Sequence, residues 1–226
     1  MAVEGTGGGA DRAPRAVALD FDGVLVDSID WILRVAGDAA EAVGARRPRA
    51  EDLRRAPSLA FDPFVEMLGV PPGAVARFGQ ELGRRMRGEA EVHDLFPGAA
   101  EAVRTLAEGG AVVVLTDNLS EVVERSLGPA GLLPYFDAIL DGAGHPPPKG
   151  DRLLAWLARA GVAPGEAAFV GDTVGDVVEG KRAGVRTVAA AWGYQPEEFL
   201  LSARPDALAR SLGELPRAVR IPGPAR

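Results

Sequence analysis

Five short apolar runs punctuate this chain, at residues 17–19, 111–115, 138–140, 167–170 and 187–190. Runs of that length bounded by turn formers read as strands buried on both faces. Between them the apolar residues recur at helical spacing. In 97–108, Ala100, Val103, Leu106 and Ala107 share one face, with Pro97 at the start and Gly109 and Gly110 just past the end, the asymmetry expected of helix termini. Segments 120–127, 151–160 (opened by Asp151) and 176–183 (closed by Gly184) predict three more helices. Short strands alternating with helices of ~10 residues imply an α/β core with a parallel sheet between helical layers.

Residues 29–96 break that alternation. They hold helical patterns at 31–43, 64–68 and 75–86 and no strand-like run, which predicts an all-helical insertion, a cap over the core. The expected organisation is a disordered tail at 1–15, a core made of 16–28 and 97–226, and the cap at 29–96. The cap carries ten Arg and eleven acidic residues, so its charge is nearly balanced. Arg84, Arg85 and Arg87 read first as a solvated helix face. Arg54 and Arg55 read the same way, and for both runs an anion contact facing the core is the second reading. No internal repeat of ~20 to 50 residues is visible.

Two of the strand-like runs end in acid and glycine. Asp20 and Asp22 follow the first, in AspPheAspGlyValLeuValAsp, and Asp172 and Asp176 follow the fourth, in GlyAspThrValGlyAsp. Carboxyl ends of strands are where open parallel sheets build their sites. Carboxylates gathered there repel one another, so they take up protons or share a divalent cation, and hard oxygen donors favour Mg2+.

With Thr116 after ValValValLeu and Lys149 after a proline run, these residues form four ordered motifs. The set resembles the haloacid dehalogenase superfamily of phosphatases, in particular the phosphoglycolate phosphatase-like branch, whose helical cap follows the first motif. The resemblance covers roughly residues 16 to 215, and it implies a Rossmann-like three-layer core. It also implies roles: Asp20 as nucleophile, Asp22 as general acid and base, and Thr116 and Lys149 as the remaining catalytic groups. Mg2+ would be held by Asp20, the backbone carbonyl of Asp22 and Asp172, with Asp176 completing the metal site through a metal-bound water. Gly23, Thr116, the Asp117 N–H and Lys149 would receive the phosphate, and Arg54, Arg55 and Ser58 are candidate substrate contacts. Phosphoryl transfer needs these parts: an in-line nucleophile, positive charge on the phosphoryl oxygens and a proton-exchanging group.

Taken singly, each motif has a plainer reading. Thr116 and Asp117 would be a turn opening a helix, and Lys149 a surface residue of a Pro-rich loop. Asp27 and Ser28 read as turn or cap residues, Asp30, Asp137 and Asp141 as surface acids, Lys181 as solvated. His93 and His145 have no metal-ligand partner at suitable spacing. Asp117 departs from the Asn common in the resembled family, and Gly150 from the Pro that commonly follows the motif Lys. ArgArgAlaProSer at 54–58 lacks the Lys-Gly pattern of the related phosphosugar mutases.

Composition narrows the field. The chain has 226 residues, 47% hydrophobic and 25% charged, enough for one core with a small accessory domain. A net charge of -7 argues against nucleic acid or an anionic membrane as partner. Cys is absent, excluding disulfides, thiolate nucleophiles and Cys-ligated zinc. No stretch approaches the ~20 apolar residues that span a bilayer, and the first 15 residues are neither signal peptide nor anchor. A cytoplasmic location is the expectation, while oligomeric state has no signature. All but two of the 25 basic residues are Arg, which singles out Lys149 and Lys181. The expected function is Mg2+-dependent hydrolysis of a small phosphorylated metabolite through an aspartyl phosphate. The rivals are a mutase or phosphotransferase of the same family, a dehalogenase (disfavoured because Asp22 is present) and a non-catalytic binding module.

Overall fold

A computed structural model describes residues 11–57, 59–88, 91–142 and 147–223. It begins with β1 (Ala16–Leu19), followed by four helices without an intervening strand: α1 (Ile29–Glu41), α2 (Ala50–Arg55), α3 (Phe61–Met67) and α4 (Val75–Gly88). Next come α5 (Ala99–Gly109), β2 (Ala111–Leu115), α6 (Ser120–Leu127), β3 (Ala138–Leu140), α7 (Lys149–Ala160), β4 (Ala167–Gly171) and α8 (Val174–Arg182). The chain finishes with β5 (Arg186–Ala190), α9 (Glu197–Ser202), β6 (Ala207–Ala209) and α10 (Leu215–Ala218).

The strands form one six-stranded sheet in the order β3-β2-β1-β4-β5-β6, every pairing parallel. Alternate side chains of one strand enter opposite layers. Val17 and Leu19 of β1, Val112 and Val114 of β2, and Ala168 and Val170 of β4 pack into one core with Val103, Leu106, Val122 and Val123. Ala16 and Ala18, Val113 and Leu115, and Ala167 and Phe169 enter the other, against Leu153 and Leu157. Both faces of the central strands are thereby covered, which is why the strands read as continuous apolar runs.

The first four helices have an apolar centre of their own, with Ala36, Ala39, Leu53, Phe64, Leu68 and Phe78 buried together. Among the described residues no helix is long and apolar enough to cross a membrane.

Several sequence expectations are corrected. Residues 11–15 are not tail: Arg12 and Ile221 form an antiparallel bridge, and Arg15 donates to Gly161 O and Glu166. Residues 1–10 lie outside the described set, as do Ser58 and His145. A sixth strand, β6, and the helix α2 were not foreseen. Helix α7 starts at Lys149 with Pro148 as its N-cap, so Lys149 is the first residue of a helix rather than part of a loop. The Asp137 carboxylate accepts the Val112 N–H at the head of β2, and Asp141 accepts from the backbone and hydroxyl of Ser120. Asp137 is exposed, as expected, and Asp141 is half-buried; both also fix element ends.

Candidate active site

β1 lies between β2 and β4, in register along its length, with Leu19 level with both Val114 and Val170. From β1 the chain builds outward to β2 and β3 on one side, then returns to build β4 to β6 on the other. Such a reversal of strand order opens a crevice at the carboxyl ends of the strands. The motif residues sit at that crevice: Asp20 directly after β1, Thr116 directly after β2 and Asp172 directly after β4. Asp20 is pinned by its own N–H to Val170 O (2.9 Å), and Thr116 by its N–H to Leu140 O (3.1 Å).

Oxygens of Asp20, Asp172 and Asp176, all buried, lie within 4.8 Å of one another. Lys149 enters from the start of α7, with Nζ 2.5 Å from Asp20 Oδ2 and 2.8 Å from Asp176 Oδ1. Asp176 belongs to a capping box at the start of α8: Thr173 N–H and hydroxyl donate to its Oδ2 (3.1 and 2.6 Å), while Thr173 Oγ1 accepts the Asp176 N–H. Asp172 Oδ2 accepts from Tyr194 N–H at 2.7 Å. Its other oxygen, Oδ1, is buried without a protein donor among the described residues.

Burial dominates the electrostatics. It raises the Asp20 carboxyl well above its ordinary range against the pull of Lys149, with Asp176 and Asp172 adding to the rise. It also raises Asp172, to about 8, with Asp176 as the second cause. On Lys149 burial acts to lower the pKa, and Asp176 and Asp20 outweigh it and hold the ammonium well above the usual value. Three carboxylates facing one ammonium leave two negative charges uncompensated when all are ionised, which is the charge of one divalent cation. The oxygen donors, their spacing and the orphaned Asp172 Oδ1 all fit such an ion.

Asp22 is set apart from this triad. Its carboxylate accepts from Ser28 Oγ (2.5 Å), from Asn118 Nδ2 (3.2 Å to each oxygen) and from Thr116 Oγ1 (3.4 Å). Burial raises its pKa, opposed by Ser28 and Asn118. Gly23 turns the chain here with φ +76, and a Cβ in its place would lie 2.1 Å from Asp172 Oδ2. Only glycine permits that approach of the backbone to the carboxylate.

The side chains around Asp22 and Thr116 take partners that the sequence did not indicate. Ser28 stands at the start of α1 but makes no capping bond; its hydroxyl serves Asp22 and Tyr194 (2.8 Å to the phenol oxygen). Asn118 escaped the sequence reading and is buried against Asp22, with its own N–H on Thr116 Oγ1 at 3.0 Å. The only signal for it was its place two residues past Thr116. The Asp117 carboxylate pairs with Arg152, whose guanidinium also donates to Thr116 O, Leu140 O and Asp141 O at 2.6–2.9 Å. Arg54 and Arg55 are exposed, and Arg55 pairs with Glu51 one helical turn away.

The family model for haloacid dehalogenase-like hydrolases matches residues 14–184, which include every strand-end motif described above. The chain belongs to this family. Among its relatives is a phosphoglycolate phosphatase of Synechococcus elongatus, 30% identical over 91% of this chain and 97% of that protein. The pyrophosphatase PpaX of Bacillus velezensis is 28% identical over 91% of this chain and 96% of its own length. A solved haloacid dehalogenase-like hydrolase from Streptococcus pneumoniae shares the fold with a TM-score of 0.75 and 23% identity, covering 90% of this chain and 97% of that one. The Rossmann-like α/β architecture expected from sequence is thus the architecture of this family member.

Proposed function

We propose that this haloacid dehalogenase-like hydrolase is a Mg2+-dependent phosphatase that hydrolyses a small phosphorylated metabolite through an aspartyl phosphate on Asp20. The observation that carries the reading is the Lys149 ammonium held between Asp20 and Asp176 at the crevice, beside an Asp172 oxygen with no protein donor. Asp20, Asp172, Asp176 and the backbone carbonyl of Asp22 are the residues that would hold the cation. When bound it supplies positive charge to the phosphoryl oxygens and lowers the carboxyls that burial has raised.

The chain's own residues account for the rest. Lys149 keeps the Asp20 carboxylate oriented and offers a compact positive charge for a phosphoryl oxygen. Thr116 Oγ1 and the Asp117 N–H are the candidate donors on the β2 side, with Gly23 leaving room for the phosphate. An Asp20 oxygen attacks phosphorus, the ester P–O bond breaks, and Asp22 delivers its proton to the departing oxygen. Water then attacks phosphorus, Asp22 takes the proton from that water, and the bond to Asp20 breaks. The raised pKa of Asp22 suits both steps, and Ser28, Thr116 and Asn118 set its rotamer.

The substrate class in this reading is a small phosphorylated acid or sugar, in keeping with the name of the Synechococcus elongatus relative, a phosphoglycolate phosphatase. The mutase alternative is not favoured, since 54–58 lacks the Lys-Gly pattern and Arg55 is engaged with Glu51. The proposed compartment is the cytoplasm. A screen of phosphorylated metabolites with Mg2+, led by phosphoglycolate and pyrophosphate and read as released phosphate, tests the reading. In 18O-labelled water the phosphate should carry one solvent oxygen per turnover. Isomerised sugar phosphate with little free phosphate would instead establish the mutase.

A further inference from the structure

The turn after β5 touches Asp172, Ser28 and the helical insertion within three residues. Gly193 packs so closely on Asp172 that a Cβ there would sit 2.2 Å from the Asp172 Cβ. Tyr194 gives its N–H to Asp172 and shares a hydrogen bond with Ser28, the donor to Asp22. Gln195, 1% exposed, reaches the helical insertion. Its Nε2 donates to Ala56 O (2.7 Å) and Leu53 O (3.2 Å) at the carboxyl end of α2, and its Oε1 accepts the Val174 N–H (2.7 Å) in the first turn of α8. Both ends of the amide are therefore used, and the orientation is fixed: the NH2 faces two carbonyls and the carbonyl faces an N–H.

Helix α2 closes with the Ala56 N–H on Asp52 O, and Ala56, its C-cap, is in extended conformation rather than the left-handed one common at helix ends. Pro57 follows and has no N–H to offer the Leu53 carbonyl. Gln195 supplies the donor for Leu53 O and for Ala56 O. It does so across 139 residues of sequence, independently of the two chain segments that connect the insertion to the core.

We propose that Gln195 is a positioning residue that clamps the α2 end of the helical insertion to the start of α8, next to Asp172 and Asp176, and so sets where the insertion sits over the substrate's leaving group. The role rests on the phosphatase reading of the site, while the clamp itself does not need it. Lifting the insertion breaks two buried hydrogen bonds at α2 and leaves the bond to Val174 intact. Closure and opening then turn on a contact one residue away from a metal-side backbone donor, Tyr194 N–H.

Gln195→Glu separates the two ends of the clamp. A carboxylate still accepts from Val174 N–H, but it cannot donate and places negative charge against two carbonyl oxygens. Hydrogen–deuterium exchange of the full chain is expected to speed up about fivefold or more in the peptide covering 50–57, with the exchange of 177–182 unchanged. Gln195→Met, which keeps the length without either polar bond, should give a smaller rise at the same peptide. With Mg2+, Gln195→Glu should raise KM for phosphoglycolate about tenfold while changing kcat less, the pattern of lost binding rather than lost chemistry.

Unchanged exchange at 50–57 in Gln195→Glu overturns the clamp, and so does a rise spread evenly over core and insertion in both variants. If the parent enzyme turns over no phosphate ester, the phosphatase reading fails, and the exchange comparison still decides the clamp.

Discussion

Thermal unfolding in chelator, compared at about pH 6.5 and pH 8, probes the buried charge at the centre of the site. Burial first, and Asp176 second, raise the Asp172 carboxyl to about 8, whereas in the unfolded chain it returns to about 4. Between those values the folded state retains a proton that the unfolded state has released. The folded state is therefore penalised as pH rises, by about 1.4 kcal/mol per pH unit, and the loss levels off once the folded carboxyl ionises near pH 8. His93 acts in the opposite sense: burial lowers its pKa, so it costs stability as pH falls below its unfolded value of about 6.5. Working from about pH 6.5 upward keeps the imidazole largely out of the comparison. Over this window Asp172 contributes a loss of about 1.5 kcal/mol, or roughly 3–6 °C in Tm for a chain of this size, and the raised Asp20 adds in the same direction. A divalent cation binds the ionised carboxylates, so saturating Mg2+ should raise Tm more at pH 8 than at pH 6.5 and reduce the slope. Asp172→Asn should also reduce it. A metal-free Tm that is flat or rises from pH 6.5 to pH 8 refutes the reasoning.

Four substitutions, metal removal and one ion exchange test the individual parts. Asp20→Asn is expected to eliminate turnover with cooperative unfolding retained, because the amide is no nucleophile; activity within tenfold of the parent, measured as phosphate release, removes Asp20 from that role. Lys149→Arg should lower kcat/KM by at least about a hundredfold, since a planar guanidinium does not fit between Asp20 and Asp176, while Lys181→Arg, on an exposed Lys that donates to Ala203 O, should be near neutral. Equal small effects at the two positions would make Lys149 dispensable. Gly23→Ala should cost about 1–3 kcal/mol in denaturant unfolding from backbone strain alone and abolish the Mg2+-dependent rise in Tm, because its methyl would collide with Asp172 Oδ2. Chelator should abolish activity and Ca2+ should inhibit, as the larger ion draws extra carboxylate oxygens onto itself; full activity in chelator contradicts the metal assignment.

Much of the site was legible because its residues follow apolar runs that become adjacent parallel strands. Once β1, β2 and β4 pair, Asp20, Thr116 and Asp172 must meet at one edge of the sheet, and a period-free apolar run was sufficient to locate each strand. What sequence did not show were partnerships formed by turns far apart in the chain. Ser28 at the head of a helix carries the usual signal of an N-cap, yet its hydroxyl is taken by Asp22 and Tyr194. Asn118 meets Asp22 only because the turn after β2 folds over the turn after β1. Three prolines before Lys149 suggested a loop, although a proline is well suited to the residues that open a helix, and that helix is what directs the ammonium inward. Helix α2, with Leu53 alone buried, and β6, only three residues long, are too short to establish a period. What the sequence pattern leaves out is the neighbours they meet: Gln195 at the end of α2 and β5 beside β6.

The central claim, covalent catalysis at Asp20, is tested most directly by trapping. The protein is mixed with Mg2+ and an accepted phosphate ester, quenched in acid during steady-state turnover, digested and mapped by mass spectrometry. The account predicts one phosphoryl group on the peptide containing Asp20, absent in Asp20→Asn and lost on treatment with hydroxylamine. A phosphoryl group on another residue, or fast turnover with no labelled peptide at any quench time, contradicts it.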